Sequence, residues 1–337
     1  MDGLKRIAVI ILAWLVLSLA ACKSASPVTL DEYADWKNTT ANGTCAYGQA
    51  CYNNGFLYYA VGTDIYEYDL LDKKAVKMTE GESIESVKGL TADDDGVIYQ
   101  QHCSPVLKKL QFDTKKSSVY MNMDDTCEQF VNWYREDETG IIYGLKDSVE
   151  NELLKIDVLS NTVEVVADKV IAFYKDGDRI YYIAVDPSDE NETLLYVKEK
   201  NEDATVIELG ISPIMVTAEE DRLVVAEQGK WNLYEYSISS KELKPLDAEN
   251  AYAVDIQLVG NRLFYVYWTD MNNWEACNLY QYDFETGENT LVIKDKIRSE
   301  LSVFSRNSAF VKDANGEPLL IEIDGAGKAA VTKLPTF

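Results

Sequence analysis

Histidine is almost missing from this chain of 337 residues: the sequence holds one, His102. A hydrolase triad built on any other histidine is therefore excluded, and so is a metal site that needs two imidazoles. Positive charge is also scarce. Lys and Arg number 32 against 57 Asp and Glu, and the formal net charge is −25. Phosphate binding needs a basic footprint, so nucleic acid is excluded as a partner class. Long apolar runs are few. The run Ile7–Leu19 has 13 residues, short of the roughly 20 that a membrane helix needs. Apolar residues at 47% and charged residues at 26% fit a globular chain. They do not fit a disordered, collagenous or polytopic one.

What is present begins at the N-terminus. Lys5 and Arg6 precede the apolar run, and Leu19-Ala20-Ala21-Cys22 follows it. A short basic segment, an apolar core and small residues before a cleavage point make a secretory signal. The last four residues resemble the lipobox of bacterial lipoproteins, in which the Cys is acylated and becomes the mature N-terminus. That resemblance implies a signal peptide over 1–21, a lipidated tether over 22–41 and a folded domain over 42–337. It implies lipidation at Cys22 and an extracytoplasmic location on the cell membrane, or on the outer membrane of a diderm host. Cleavage removes Asp2, Lys5 and Arg6 and leaves a mature charge of −26. Attachment then rests on acyl chains, since the acidic surface repels anionic headgroups.

The domain carries a faint repeat. Short alternating runs, often with Tyr, end at Asp or a substitute: Ile65-Tyr66-Glu67-Tyr68-Asp69, Leu154-Lys155-Ile156-Asp157 and Leu279-Tyr280-Gln281-Tyr282-Asp283 are the clearest. Taking Asp113, Lys198, Ser237 and Asp324 as the other ends, the spacing averages about 42 residues. A second β-rich run lies upstream of each, after turn signals such as Asp176-Gly177-Asp178. The pattern predicts an all-β fold, a seven-bladed β-propeller of four-stranded antiparallel blades, with six blades as the alternative. The opening strand of the first unit is expected within Thr44–Tyr52. The chain resembles bacterial lipoprotein propellers distantly similar to the LDL-receptor type. Tyr267-Trp268-Thr269-Asp270 matches that family's repeated motif but occurs once.

In such a meander the connections from second to third strand, and from one unit to the next, share one face. Loops on a rigid scaffold are where function concentrates. Trp231, Trp268 and Trp274 fall in or beside two adjacent loops of that face, with Glu227, Asp270 and Glu275 nearby. Aromatic faces next to acids suit a sugar, a peptide or a cationic group. The competing reading has these Trp wedged between blades as packing. Cys103 and Cys127 lie on the loop face of neighbouring units, where a disulfide is expected. Cys45–Cys51 is expected to pair only if that stretch bends. Asp93-Asp94-Asp95-Gly96 lacks the alternate ligand spacing of a calcium loop and reads as a hairpin turn. No catalytic residue, metal or cofactor is expected. The expected protein is a monomer that binds an envelope protein, a peptide or a glycan. The alternatives are an envelope lyase or glycan hydrolase using carboxylates, and a scaffold of an envelope assembly.

Overall fold

The computed structural model describes residues 33, 36, 49–79, 86–102, 104–122, 129–136, 139–148, 150–200, 202–246, 252–269, 277–325 and 327–337. The chain divides into two units, 1–34 and 35–337. The expected signal peptide, most of the tether, Cys22, Cys45, Cys103 and Cys127 lie outside the described residues.

The larger unit is all-β. Its strands form successive antiparallel meanders at 50–77, 87–122, 130–167, 170–207 and 213–245, each a four-stranded sheet in chain order. The last sheet has seven strands over 253–333. Its 17-residue strand Asn289–Ser305 pairs with Cys277–Asp283 through its first half and with Ser308–Asp313 through its second. One strand thus closes the sixth meander and opens the seventh. The first strands of successive units pack against each other, except that Val170–Asp176 of the fourth packs on Ile141–Lys146, the second strand of the third; the first strand of the first unit packs against Asn289–Ser305. The sheets circle a common centre: the fold is a β-propeller. The opening strand of the first unit is Ala50–Asn53, at the C-terminal end of the expected stretch and one residue beyond it. Among the described residues no helix is long and apolar enough to cross a membrane.

The Asp of the repeat is a turn staple. Asp69 Oδ1 accepts the amides of Leu71 (2.8 Å) and Asp72 (2.9 Å), and Asp157 Oδ1 those of Leu159 (2.9 Å) and Ser160 (3.0 Å). Each such turn closes on a residue in the left-handed region, Lys73, Asn161 or Gly287. Register corrects the sequence alignment in three units. Gln111, Glu199 and Glu322 occupy the position of Asp157, rather than Asp113, Lys198 and Asp324. The abundant Tyr also have a place. Tyr59–Tyr66, Tyr182–Tyr196 and Tyr265–Tyr280 are cross-strand pairs in one register, stacked with centroids 5.3, 5.1 and 5.2 Å apart. The third unit has Gly144 and Leu154 in that register instead. The Phe130 ring lies where a side chain on Gly144 would stand.

Apolar clusters fill the space between adjacent sheets, and polar stitches cross the same junctions. Asn53 Nδ2 donates to Asp93 O (2.8 Å), Asp93 meets Arg135 (3.6 Å) and Glu136 meets Lys175 (3.2 Å). Thr193 donates to Pro213 O, and Leu258 N donates to Thr217 Oγ1 (3.1 Å). Gln257 donates to Leu301 O (2.8 Å) and accepts from Val303 N (2.9 Å). Lys312 Nζ donates to Gln49 Oε1 (2.9 Å), joining the seventh unit to the first. Such bonds satisfy buried polar groups and fix each sheet's angle to the next.

Candidate functional site

The loop face of the fifth to seventh units holds what can be described of the expected site. In the fifth unit the segment after strand Arg222–Glu227 is a tight loop. Trp231 N donates to Glu227 O (2.7 Å), Glu227 N to Asn232 O (3.0 Å) and Gln228 N to Ser212 O (2.7 Å). Trp231 sits in the left-handed region, φ 60°, where a bulky residue is uncommon. The Glu227 carboxylate accepts Lys230 Nζ (2.8 Å) and Tyr234 OH (3.0 Å). The Lys230 ammonium, chiefly, holds its pKa below the ordinary carboxylate range.

Trp231 is half-buried against the apolar cluster between the fifth and sixth units, beside Ile214 and Tyr267. Trp268 ends strand Arg262–Trp268 and is half-buried against the next cluster, between the sixth and seventh units. Both indoles therefore wedge between sheets and keep part of their surface free on the loop face. They lie in different clusters, on successive units. Asp270, Trp274 and Glu275 lie outside the described residues.

Beneath Trp268 is a group of charges that the sequence reading passed over. Asp255 sits in strand Ala253–Val259, fully buried, at a register held by Ala172 and Met215 in the two preceding units. Neither carboxylate oxygen has a hydrogen-bond partner among the described residues. The amides of Leu301 and Ile256 point toward it, too weakly to offset burial, and Glu300 adds like charge. Burial, above all, pushes the Asp255 carboxyl up to about 8. It is neutral at neutral pH, as a carboxyl without a counter-charge must be. Burial pushes the Cys277 thiol up to about 12. Lys312 is drawn down to about 8, again by burial. The one trace in the sequence is an acid inside the mostly apolar strand Ala-Val-Asp-Ile-Gln-Leu-Val, which does not by itself say that the carboxyl is buried without a counter-charge.

Asp255 and Glu300 are the close acid pair that proton transfer would use, yet Asp255 is sealed from any ligand. His102 is exposed, with its amide bonded to Ser86 O (2.8 Å). Among the described residues no group of three or more His, Cys, Asp or Glu is placed to hold a metal. Cys51 is a free thiol buried in the extended first strand, its side chain in the core against the second unit, in keeping with a Cys45–Cys51 bridge expected only from a bent stretch.

No protein-family model matches the chain, and no curated protein does. Solved structures do. A puromycin-hydrolysing peptidase of Mycobacterium tuberculosis superposes with a TM-score of 0.62 at 12% identity, over 92% of this chain and 54% of its own. The tricorn protease gives 0.60 at 10% identity, over 87% of this chain and 36% of its own. A chain of a nidogen–laminin complex gives 0.50 at 11% identity, over 70% of this chain and 91% of its own. This chain spans about a third to a half of the two peptidases. At such identities the likeness shows the fold alone.

Proposed function

We propose that this protein is a lipid-anchored, extracytoplasmic propeller that binds a protein or peptide partner of the cell envelope through its loop face, without catalysing a reaction. The observation that carries the reading is the placement of Trp231 and Trp268. Two half-buried indoles stand on adjacent units, each packed on its own inter-sheet cluster, which supports reading them as two contact points of one rim. Indoles anchored in this way make strong contact points at little entropic cost. Trp274, Asp270 and Glu275 belong to the same proposed rim. The nidogen–laminin structure supports the reading to the extent that a propeller there is held by another protein. The lipobox supplies the location: Cys22 acylated, the domain outside the cytoplasm, attached to the membrane by lipid and working as a monomer.

The test has two arms. Replacing Cys22 with Ala should move the protein from the membrane fraction to the soluble one, and retention in the membrane would sink the anchor. The acylated protein, used as bait in detergent-solubilised envelope of its own host, should return a stoichiometric protein partner. Trp231→Ala with Trp268→Ala should cost that partner at least about tenfold in affinity. Unchanged capture by a folded double variant would remove the loop face from the function.

A further inference from the structure

We propose that the cleft between the third and fourth units binds a small carboxylate-bearing molecule with an apolar body. The cleft opens on the turn side of the ring, away from the loop face, so the proposal stands apart from the function above. It measures about 320 Å³, within the range of small-molecule sites. Its floor is apolar: Ile141, Tyr143, Val166 and Ile180.

Tyr143 pairs across the sheet with Lys155, whose ammonium meets Glu164 at 3.6 Å. The same register holds a long polar side chain in four other units, Glu67, Lys109, Glu235 and Gln281, and an apolar one in two, Val197 and Leu320. Here the polar side chain stands beside the cleft's apolar floor.

Charge selects the ligand. At the deep end Lys175 is consumed: its ammonium pairs with Glu136 at 3.2 Å and lies 5.5 Å from the centre of the Tyr143 ring. At the mouth Lys198 donates to the carbonyl oxygen of Glu202 (2.8 Å) and has no acid partner among the described residues. Lys200 is exposed and has no acid partner among the described residues. Of the acids at the mouth, Glu199 is engaged with Arg179 at 3.0 Å, and Asp178 is exposed. In a chain of mature charge −26, two ammonium groups beside an apolar floor favour an anion with a greasy body over any neutral or cationic relative.

The probe is 3-phenylpropionate, titrated into the detergent-solubilised full chain and read by ligand-observed NMR, with 3-phenylpropanol as its uncharged twin. The acid should saturate the protein below about 10 mM and bind about tenfold tighter than the alcohol. Lys198→Gln with Lys200→Gln should erase that preference while leaving the unfolding midpoint in place. Val166→Trp should block both probes by filling the cleft. No saturation by the acid, equal binding of acid and alcohol, or binding unchanged in the double lysine variant would each overturn the proposal.

Discussion

Asp255 shows how one side chain can set the pH response of a whole ring. An unfolded Asp titrates near 3.9, and the buried carboxyl here titrates near 8. Below about pH 4 both states hold the proton and the burial of Asp255 costs nothing through ionisation. Between about 4 and 8 the unfolded state ionises while the native state keeps its proton. Stability then falls as pH rises, by about 1.4 kcal/mol per unit, and levels off above 8. Asp255→Asn removes that proton linkage. In urea unfolding the variant should match the parent in stability at pH 4 and exceed it by several kcal/mol, as an order of magnitude, at pH 8.5. Parallel midpoints for the two proteins at both values would show that Asp255 is ionised in the folded state.

At the scale of strands and turns, much of the architecture was legible and the reasons are specific. The Asp-terminated runs stood out because Asp69, Asp157 and Asp283 each staple a turn by the same two amides. The alternation was readable because third strands such as Leu153–Asp157 alternate buried and part-exposed positions, between second strands buried on both faces and outer strands that are mostly wet, such as Thr162–Ala167. What could not be read is register. Glu199 and Gln111 lack the Asp signal, so the repeat ends in those units were misplaced by one and two residues. The shared strand Asn289–Ser305 was equally hidden, since nothing in its composition says that it turns from one sheet into the next. The candidate site was half legible. Indoles can be found in a sequence, but a buried neutral carboxyl depends on which strand lies opposite. Contacts between units are the least visible of all. Gly89, φ 67°, lies against the Trp133 indole of the next unit, leaving no room for a Cβ. Gly89→Ala combines that clash with a left-handed backbone and should cost roughly 2–4 kcal/mol. Gly62→Ala, with the same sign of φ and open space around it, should cost only the backbone part, about 1 kcal/mol. Equal losses at the two positions, measured by urea unfolding, would mean that the indole yields.

A ring of meanders must be closed, and among the described residues no strand is exchanged to do it: the first unit and the seventh are each built from one continuous stretch. Closure falls to side chains and to the last residues of the chain. Lys312 reaches Gln49, and the Tyr59 and Phe310 rings meet with centroids 6.1 Å apart. Beyond the final strand, Leu334 is buried. The carbonyl of Pro335 accepts the Tyr59 hydroxyl, and Phe337 exchanges two bonds with the Tyr66 hydroxyl (3.1 and 3.2 Å). The tail thus crosses from the seventh unit to the stacked Tyr pair of the first. If these contacts are the latch, ending the chain after Lys333 should loosen one junction and spare the rest. Amide exchange should quicken in Phe56–Val61 and Ser308–Asp313, which meet at the closure. Strands of the fourth unit, on the far side, should keep their protection. Burying Leu334 alone is worth about 2 kcal/mol, so the truncated chain should still fold, with a lower midpoint. Uniform loss of protection around the ring would show that the sheets unfold as one body. No change at the first and seventh units would show that the ring holds itself closed without the tail.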